Sequence, residues 1–316
     1  MSGRVAIVGT GNVGVAAAYA LFQQRVAREL LLVDRDRERA EGEAMDLAHG
    51  QALVGSCPVR AADWPDLAGC DVVVLAAGVG QQPGEDRLSL LQRNAEVLAG
   101  IATELDRHAP EAVIIVASNP VDLLTRILQR LSQRPTERIL GTGTMLDTSR
   151  FRALLGHHYG INPRSVHAYI LGEHGDSEVP LWSDATIGGQ NLRGATINGR
   201  PWDPEALHGL FTEVRDAAYH IIQRKGYTNT AIGLVIAYLA RVILDDQKSV
   251  VPVSAAVDGE FGLADLCLSL PRVVGAGGVE GSVLPEPDED ERAALIASGE
   301  TLAGHLAGLD LERFGG

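Results

Sequence analysis

Cysteine is scarce in this sequence, and long apolar runs are absent from it. The three cysteines, Cys57, Cys70 and Cys267, are scattered and form no CxxC pair. That pattern argues against a disulfide framework and against a structural zinc site. No apolar run approaches the roughly 20 residues that a membrane span needs, and the N-terminus lacks the basic start of a secretory signal. We therefore expect a cytoplasmic protein with no membrane partner.

Positive charge is also scarce. The chain has 27 Lys and Arg against 41 Asp and Glu, which gives a net charge of −14. A negative net charge of this size repels the phosphates of nucleic acids, so we expect no nucleic-acid partner. What remains is the composition of a globular protein, because 316 residues with a hydrophobic content of 46% can build two packed domains.

The first half of the chain alternates short apolar runs with longer helical patterns. Predicted strands lie at about residues 4–8, 29–33, 71–76 and 112–117. Predicted helices begin at about residue 12 and lie at about 37–49, 88–107 and 121–131. Strands that are apolar throughout and separated by helices indicate a parallel sheet covered on both faces. We predict an α/β fold with a doubly wound parallel sheet.

Beyond about residue 144 the pattern changes to mixed helix and strand. Predicted elements are a helix from about Asp147, a strand over about 165–171, a helical stretch over about 204–246 and two strands within about 268–284. The last predicted helix begins with four acidic residues, which complement the dipole at its N-terminus. We predict a boundary near residue 143, with a C-terminal α+β domain at 144–316 that meets the first domain at a cleft.

Gly9-Thr10-Gly11-Asn12-Val13-Gly14 is a GxGxxG motif between the first predicted strand and the first predicted helix. Its glycines permit a tight turn and the close approach of a pyrophosphate, which the helix N-terminus attracts. Asp34 follows at the end of the second strand, where a carboxylate accepts hydrogen bonds from a ribose diol and repels a 2′-phosphate. The sequence thus predicts a Rossmann-type NAD-binding domain at residues 1–143. NAD is favoured over NADP despite the nearby Arg35 and Arg37, and a glycine-rich turn of another α/β protein is the alternative.

His174 lies between two acids in the segment LGEHGD, residues 171–176. Acidic neighbours favour a charged imidazole, and the flanking glycines allow a tight turn that projects the ring into a cleft. These six residues alone leave three interpretations open: a catalytic base, a metal ligand, or a histidine in a surface turn. Arginines recur near two other polar segments, the glycine-containing loop at 78–87 and the helix start MLDTSRFR at 145–152.

Together these motifs resemble the L-lactate/malate dehydrogenase family over nearly the whole chain. The matching segments are GTGNVG, AAGVGQQPGEDRLSLLQRN, SNPVD, LDTSRFR, LGEHGDSEV, KGYT and SLPRVVGAGGVEG. Each is weak alone, but the combination is specific. The resemblance implies reversible, NAD-dependent interconversion of (S)-lactate and pyruvate, the last step of lactate fermentation after glycolysis. Malate dehydrogenase activity is the alternative.

The resemblance also implies the roles of the charged residues. His174 accepts the hydroxyl proton as hydride leaves C2 of the substrate, and it returns that proton in pyruvate reduction, a task suited to a group that titrates near neutrality. Asp147 is the implied carboxylate partner of His174, although Asp176 is closer in sequence. Arg150 offers a planar fork to the substrate carboxylate, and Arg87 polarises the C2 oxygen.

Further substrate and cofactor contacts follow from the same resemblance. Asn119 would bind the C2 oxygen and the nicotinamide side, and Thr228 would form a wall of the substrate pocket. Malate dehydrogenases carry arginine at the position of Gln81. A neutral residue there would leave the second carboxylate of oxaloacetate buried and unpaired, which favours pyruvate by roughly a thousandfold. The remaining implied cofactor contacts are Gly78, Val79, Asn94, Ala117 and Ile232.

Two arginines on the predicted helix at 145–152 point in different directions. At 100° per residue, Arg150 and Arg152 lie on nearly opposite sides, so they cannot both bind one substrate. The resemblance pairs Arg152 with His167 as a site for the effector fructose 1,6-bisphosphate, at a subunit interface of a homotetramer. It implies no metal.

Two further classes of protein stay open. An NAD-dependent glycosidase of related fold would need a bound metal, and an NADH-sensing protein without enzymatic activity would not need an intact catalytic set. Each residue singled out above also has an ordinary structural interpretation. Arg87 could pair with Glu85, Asp147 could cap a helix and Asn119 could serve the turn before Pro120.

Overall fold

The structure is a computed structural model that describes residues 3–80 and 87–310, without the side chain of Arg87. Two of the predicted substrate contacts, Gln81 and the Arg87 side chain, lie outside the described residues. Within the described ranges, no helix combines the length and the apolar character required to cross a membrane.

The first half contains the predicted alternation of strands and helices. Its strands are β1 (Arg4–Val8), β2 (Glu29–Val33), β3 (Val59–Ala61), β4 (Val72–Leu75), β5 (Val113–Val116) and β6 (Ile139–Gly141). Its helices are α1 (Asn12–Gln23), α2 (Arg37–His49), α3 (Gln51–Val54), α4 (Arg87–His108) and α5 (Val121–Leu131). Short 3-10 helices lie at Trp64–Leu67 and Thr136–Arg138.

These six strands pair in parallel in the order β3-β2-β1-β4-β5-β6. Alternate side chains enter different cores. In β1, Ala6 and Val8 belong to one hydrophobic cluster, whereas Val5 and Ile7 belong to another. Both faces of the sheet are therefore buried, which is why these strands are apolar at every position.

The second half is more irregular. Its helices are α6 (Met145–Tyr159), α7 (Pro204–Lys225), α8 (Thr230–Leu244) and α9 (Glu289–Leu306). Seven two-residue strands are β7 (Val166–His167), β8 (Ile170–Leu171), β9 (Val179–Pro180), β10 (Thr186–Ile187), β11 (Gln190–Asn191), β12 (Thr196–Ile197) and β13 (Arg200–Pro201). Three longer strands are β14 (Ser249–Asp258), β15 (Ala264–Gly275) and β16 (Gly278–Ser282). Further 3-10 helices lie at Pro163–Ser165 and Glu260–Gly262.

Strands β14 to β16 do not form a sheet of their own. They add antiparallel pairs to the edge at β6, so one nine-stranded sheet runs through both halves of the described chain. The junction is tight, because a Cβ added at Gly141 of β6 would lie 3.0 Å from Cβ of Ser254 on β14. The fold is thus α/β, with a doubly wound parallel part that the C-terminal half extends.

Two predicted elements differ in detail. The strand predicted at 165–171 is two short strands, β7 and β8, which pair with different partners, β10 and β9. The helical stretch predicted at 204–246 is two helices, because α7 ends at Lys225 and its C-cap, Gly226, has a left-handed conformation with φ +87°. Helix α9 begins as expected, with Asp288 and Glu291 forming a capping box.

Candidate active site

The GxGxxG loop lies at the carboxyl end of β1, where two of its glycines are required by packing. Gly9 has φ +100°, and an added Cβ would lie 2.6 Å from the nitrogen of Ala77. A Cβ at Gly14 would lie 1.9 Å from the carbonyl oxygen of Gly9. A Cβ at Gly11 would meet nothing within 4 Å. The loop therefore packs tightly against the sheet and leaves open space at Gly11.

That space lies at the N-terminus of α1. The helix begins at Asn12, and its N-cap, Gly11, offers no side-chain hydrogen bond. The first amides of the helix therefore lack a side-chain partner at the cap, and such amides attract phosphate oxygens. Val13 packs against the same hydrophobic cluster as Ala117 and Ile232, two other predicted cofactor contacts. The open helix N-terminus fits the pyrophosphate of NAD, and the contacts of the other residues with the cofactor stay predictions.

Asp34 follows β2 and faces the GxGxxG loop. It accepts hydrogen bonds from the backbone nitrogen of Thr10 at 2.6 Å and from its Oγ1 at 2.9 Å. Burial raises the pKa of Asp34, but hydrogen bonds from the backbone of Asp36 and from Thr10 outweigh it and hold the pKa below its usual value. Asp34 is therefore ionised at neutral pH. Arg37 cannot easily neutralise it, because Arg37 pairs with Glu41 and Asp63.

The loop after β4 is held by a buried asparagine. Asn94 is 2% exposed, and its Oδ1 accepts a hydrogen bond from the nitrogen of Val79 at 3.1 Å. Ser118 Oγ donates to the carbonyl oxygen of Ala77 at 2.6 Å, which joins the ends of β4 and β5. These contacts fix the segment that precedes the undescribed residues 81–86. The side chain of Asn94 supports this loop by binding the loop backbone. A direct contact of Asn94 with the cofactor stays a prediction.

Asp147 and His174, which the family resemblance pairs, are adjacent in the structure. His174 Nδ1 lies 2.6 Å from Asp147 Oδ2, and Arg150 Nη1 donates to Asp147 Oδ1 at 2.8 Å. The Asp147 side chain is 3% exposed. Each carboxylate oxygen thus faces a different cationic group. Asp176 is not part of this arrangement, because it accepts a hydrogen bond from the hydroxyl of Tyr219.

Hydroxyl groups hold the elements that carry this pair. Thr144 Oγ1 donates to the carbonyl oxygen of Ile170 at 2.6 Å, and Thr148 Oγ1 accepts from its nitrogen at 3.0 Å, so α6 is fixed against β8. Gly172 and Ser269 then exchange two backbone hydrogen bonds of 3.0 and 3.1 Å. The loop that bears the histidine is therefore anchored to both α6 and β15.

A second buried carboxyl orients this loop, in a role that was not predicted from the sequence. Asp122 Oδ2 accepts a hydrogen bond from the backbone nitrogen of His174 at 2.8 Å. Asp122 is 2% exposed, and burial raises its pKa to about 6. In the sequence it is the first-turn acid of α5, which is typical of any helix N-terminus. Only the packing of α5 against the loop distinguishes it.

The Asp147–His174 pair controls the charge of the imidazole. Burial alone lowers the pKa of His174, but the charge and the hydrogen bond of Asp147 raise it to about 9. Burial raises the pKa of Asp147, yet the charge and hydrogen bond of His174 and the charge of Arg150 hold it below its usual value. His174 is therefore protonated at neutral pH. Its Nδ1–H donates to Asp147, which leaves Nε2 for a substrate.

Glu178 is a third carboxyl group in this cluster, and it too was assigned no role in the sequence. Ligand atoms of Asp147, His174 and Glu178 lie within 4.8 Å of one another, a spacing that a cation could bridge. Both oxygens of Asp147, however, already face cationic groups of the protein. We therefore interpret His174 as an acid-base group rather than as a metal ligand.

Arg150 and Arg152 diverge, as the helical spacing predicts. Arg150 lines a cavity of about 340 Å³ with residues of α7 such as Val214. Arg152 Nε donates to the carbonyl oxygen of Ala168 at 2.9 Å, and Arg152 lines a different cavity of about 400 Å³. His167 is exposed on β7, next in sequence to Ala168. Three other predicted site residues, Gly78, Asn119 and Thr228, lie in loops after β4, after β5 and before α8.

Comparison with known proteins gives matches along almost the whole chain. Residues 3–141 match the family described as lactate/malate dehydrogenase, NAD binding domain, and residues 144–308 match its alpha/beta C-terminal domain. An L-lactate dehydrogenase of Salinibacter ruber is 60% identical over 96% of this chain and 97% of its own. An L-lactate dehydrogenase of Thermus aquaticus is 48% identical over 97% of this chain and 99% of its own. The crystal structure of a minor L-lactate dehydrogenase from Enterococcus mundtii, 39% identical, superposes with a TM-score of 0.95 over 98% of this chain and 99% of that chain.

Proposed function

The chain belongs to the lactate/malate dehydrogenase family, and from that premise we propose that it interconverts L-lactate and pyruvate. It is an oxidoreductase with an NAD-binding domain. The observation that carries the proposal is the contact of the His174 imidazole with Asp147, whose other oxygen holds Arg150. That arrangement joins a proton-transfer group to a fork for a carboxylate.

When bound, NAD would supply the acceptor for the hydride that leaves C2 of lactate. As that hydride leaves, the hydroxyl group loses its proton, and His174 accepts the proton at Nε2. The imidazolium that forms keeps its Nδ1–H on Asp147, so the new positive charge faces a fixed negative charge at 2.6 Å. In pyruvate reduction the same imidazolium returns the proton to the C2 oxygen.

Arg150 binds the substrate carboxylate in this proposal, because its guanidinium offers a planar pair of donors. Asp147 orients Arg150 through the 2.8 Å hydrogen bond. Arg87 polarises the C2 oxygen, Asn119 binds that oxygen and Thr228 forms a pocket wall. The GxGxxG loop, Asp34 and the segments that contain Gly78, Val79, Asn94, Ala117 and Ile232 would hold NAD.

Gln81 selects a monocarboxylate substrate. A neutral side chain provides no partner for the second carboxylate of oxaloacetate, so malate dehydrogenase activity is the second candidate and the weaker one. Initial rates of NADH consumption, followed by absorbance, test the proposal against pyruvate, oxaloacetate and longer 2-keto acids. Pyruvate is expected to give the highest kcat/KM, and Gln81→Arg is expected to move the preference toward oxaloacetate. Equal values for pyruvate and oxaloacetate in the natural sequence would contradict it.

The regulatory part of the proposal concerns Arg152. Together with His167, this residue would bind fructose 1,6-bisphosphate at a subunit interface of a homotetramer. The test compares rates of pyruvate reduction at low pyruvate with and without the bisphosphate. Adding the bisphosphate is expected to raise the rate of the natural sequence and to leave the rate of Arg152→Gln unchanged. Arg107→Gln, an exposed arginine on α4, serves as the matched control. An unresponsive natural sequence eliminates the effector site, and sedimentation tests the tetramer.

A further inference from the structure

Glu178 lies beside the Asp147–His174 pair, and the proposed mechanism does not use it. It lies in the loop between β8 and β9 and is 7% exposed. Its Oε1 is buried and has no hydrogen-bond partner among the described residues. Two other buried carboxyls of the site differ, because Asp147 faces two cationic groups and Asp122 accepts the backbone N–H of His174. A buried carboxylate without donors is costly, whereas an uncharged carboxylic acid is not.

The charges around Glu178 come from three elements. Asp147 and Arg150 face it from α6, His174 from its own loop and Arg215 from α7. Burial raises the pKa of Glu178, and the charge of Asp147 raises it further, to about 8, against the opposing effect of the three cationic groups. At neutral pH this carboxyl therefore carries its proton.

We propose that Glu178 is a positioning residue whose carboxyl must be uncharged for the substrate anion to bind. Ionisation of this carboxyl at alkaline pH then lowers kcat/KM for pyruvate. The proposal rests on the function proposed above. It assigns to Glu178 no contact with the substrate. The residue acts through Arg150 and His174, which share its surroundings.

The physical reason is a competition for positive charge. An ionised Glu178 would place a second carboxylate within 4.8 Å of the Asp147–His174 pair. This charge would attract the guanidinium of Arg150 and would repel the carboxylate of pyruvate in a buried environment. Binding of pyruvate then requires two protons, one on His174 and one on Glu178.

The number of protons is measurable in the pH profile of kcat/KM for pyruvate at saturating NADH, which reports ionisations of the substrate-free enzyme. Above about pH 9, kcat/KM of the natural sequence is expected to fall roughly a hundredfold per pH unit, as for two required protons. Glu178→Gln is expected to fall only about tenfold per unit and to equal the natural sequence within about twofold at pH 7. Glu178→Asp, which restores an ionisable group, should return the steeper profile.

Glu213→Gln is the matched control, because Glu213 lines the cavity of Arg150 from α7 but is exposed. It is expected to leave the steep profile unchanged. A slope of one proton in the natural sequence, or the same slope in Glu178→Gln, overturns the proposal. A loss in Glu178→Gln that is equal at every pH would indicate a structural role and also overturns it.

A readout without catalysis separates this proposal from the proposed function. Infrared difference spectra between the natural sequence and Glu178→Gln are expected to show the carbonyl band of a protonated carboxylic acid at pH 7 and its loss above about pH 9. Absence of that band at pH 7 overturns the proposal even in an inactive protein. An enzyme that does not reduce pyruvate refutes the proposed function and leaves this measurement decisive for Glu178.

Discussion

The cofactor edge, which is the GxGxxG loop with Asp34, and the catalytic cluster are built from the chain in different ways. At the cofactor edge, the GxGxxG loop follows one strand, Gly9 and Gly14 allow close packing, and Gly11 leaves the N-terminus of α1 open to a ligand. In the catalytic cluster, Asp122, Asp147 and His174 come from three separate segments and interact through buried side chains. The cofactor edge therefore depends on the absence of side-chain atoms. The catalytic cluster depends on the balance of buried charge.

The largest expected effect tests that charge balance. Asp147→Asn should lower kcat/KM for pyruvate by about a thousandfold, since the imidazolium loses its charged partner and Arg150 loses its anchor. Steady-state kinetics would measure the change. Asp176→Asn, the acid closest to His174 in sequence, should change it by less than about threefold. Similar losses in both variants would show that proximity in sequence, rather than the observed pairing, determines the site.

A second prediction uses pH to follow the same charge. Because the pKa of His174 is raised to about 9, the neutral imidazole needed for lactate oxidation is a minor form at pH 6. Its fraction, and with it kcat/KM for lactate, should rise about tenfold per pH unit between pH 6 and pH 8. The imidazolium needed for pyruvate reduction remains the major form, so kcat/KM for pyruvate should stay level over that range. A level profile for lactate would exclude the raised pKa.

The third prediction separates packing from ligand binding within the glycine loop. Gly14→Ala should lower the free energy of unfolding by about 1–3 kcal/mol, because its Cβ would overlap the Gly9 carbonyl. Gly11→Ala, where a Cβ meets no atom within 4 Å, should leave stability unchanged but weaken NADH binding. Denaturant titration and NADH fluorescence would measure the two quantities. Equal stability losses would break the distinction.

The smallest effect concerns the choice of cofactor. Asp34→Ser should lower the preference for NADH over NADPH by about fivefold to tenfold, since it removes a negative charge near the ribose 2′ position. Kinetics with both cofactors would measure the ratio. Glu38→Gln, in the first turn of α2, removes one charge nearby and should leave the ratio unchanged. A shift of the same size in the control would indicate a general field effect.

The cofactor edge was largely predictable because its signals are local. Glycines at 9, 11 and 14 between an apolar strand and a helix, with Asp34 after the next strand, predict the geometry that the structure contains. The pairing of Asp147 with His174 could be stated only from the resemblance to a family. Asp122 and Glu178 were not predicted as site residues, because an acid in the first turn of a helix and an acid in a loop are both common in protein sequences.

The sequence by itself determined the parallel sheet and the glycine loop, because burial on both faces and close backbone packing restrict which residue types each position accepts. Only the tertiary structure decided which acid faces His174, how far its pKa moves and that β14 to β16 extend the first sheet. The physical reason is that these interactions act between different sets of residues. Strand and turn preferences act between neighbours along the chain, whereas burial and electrostatic interactions depend on distances that folding alone sets.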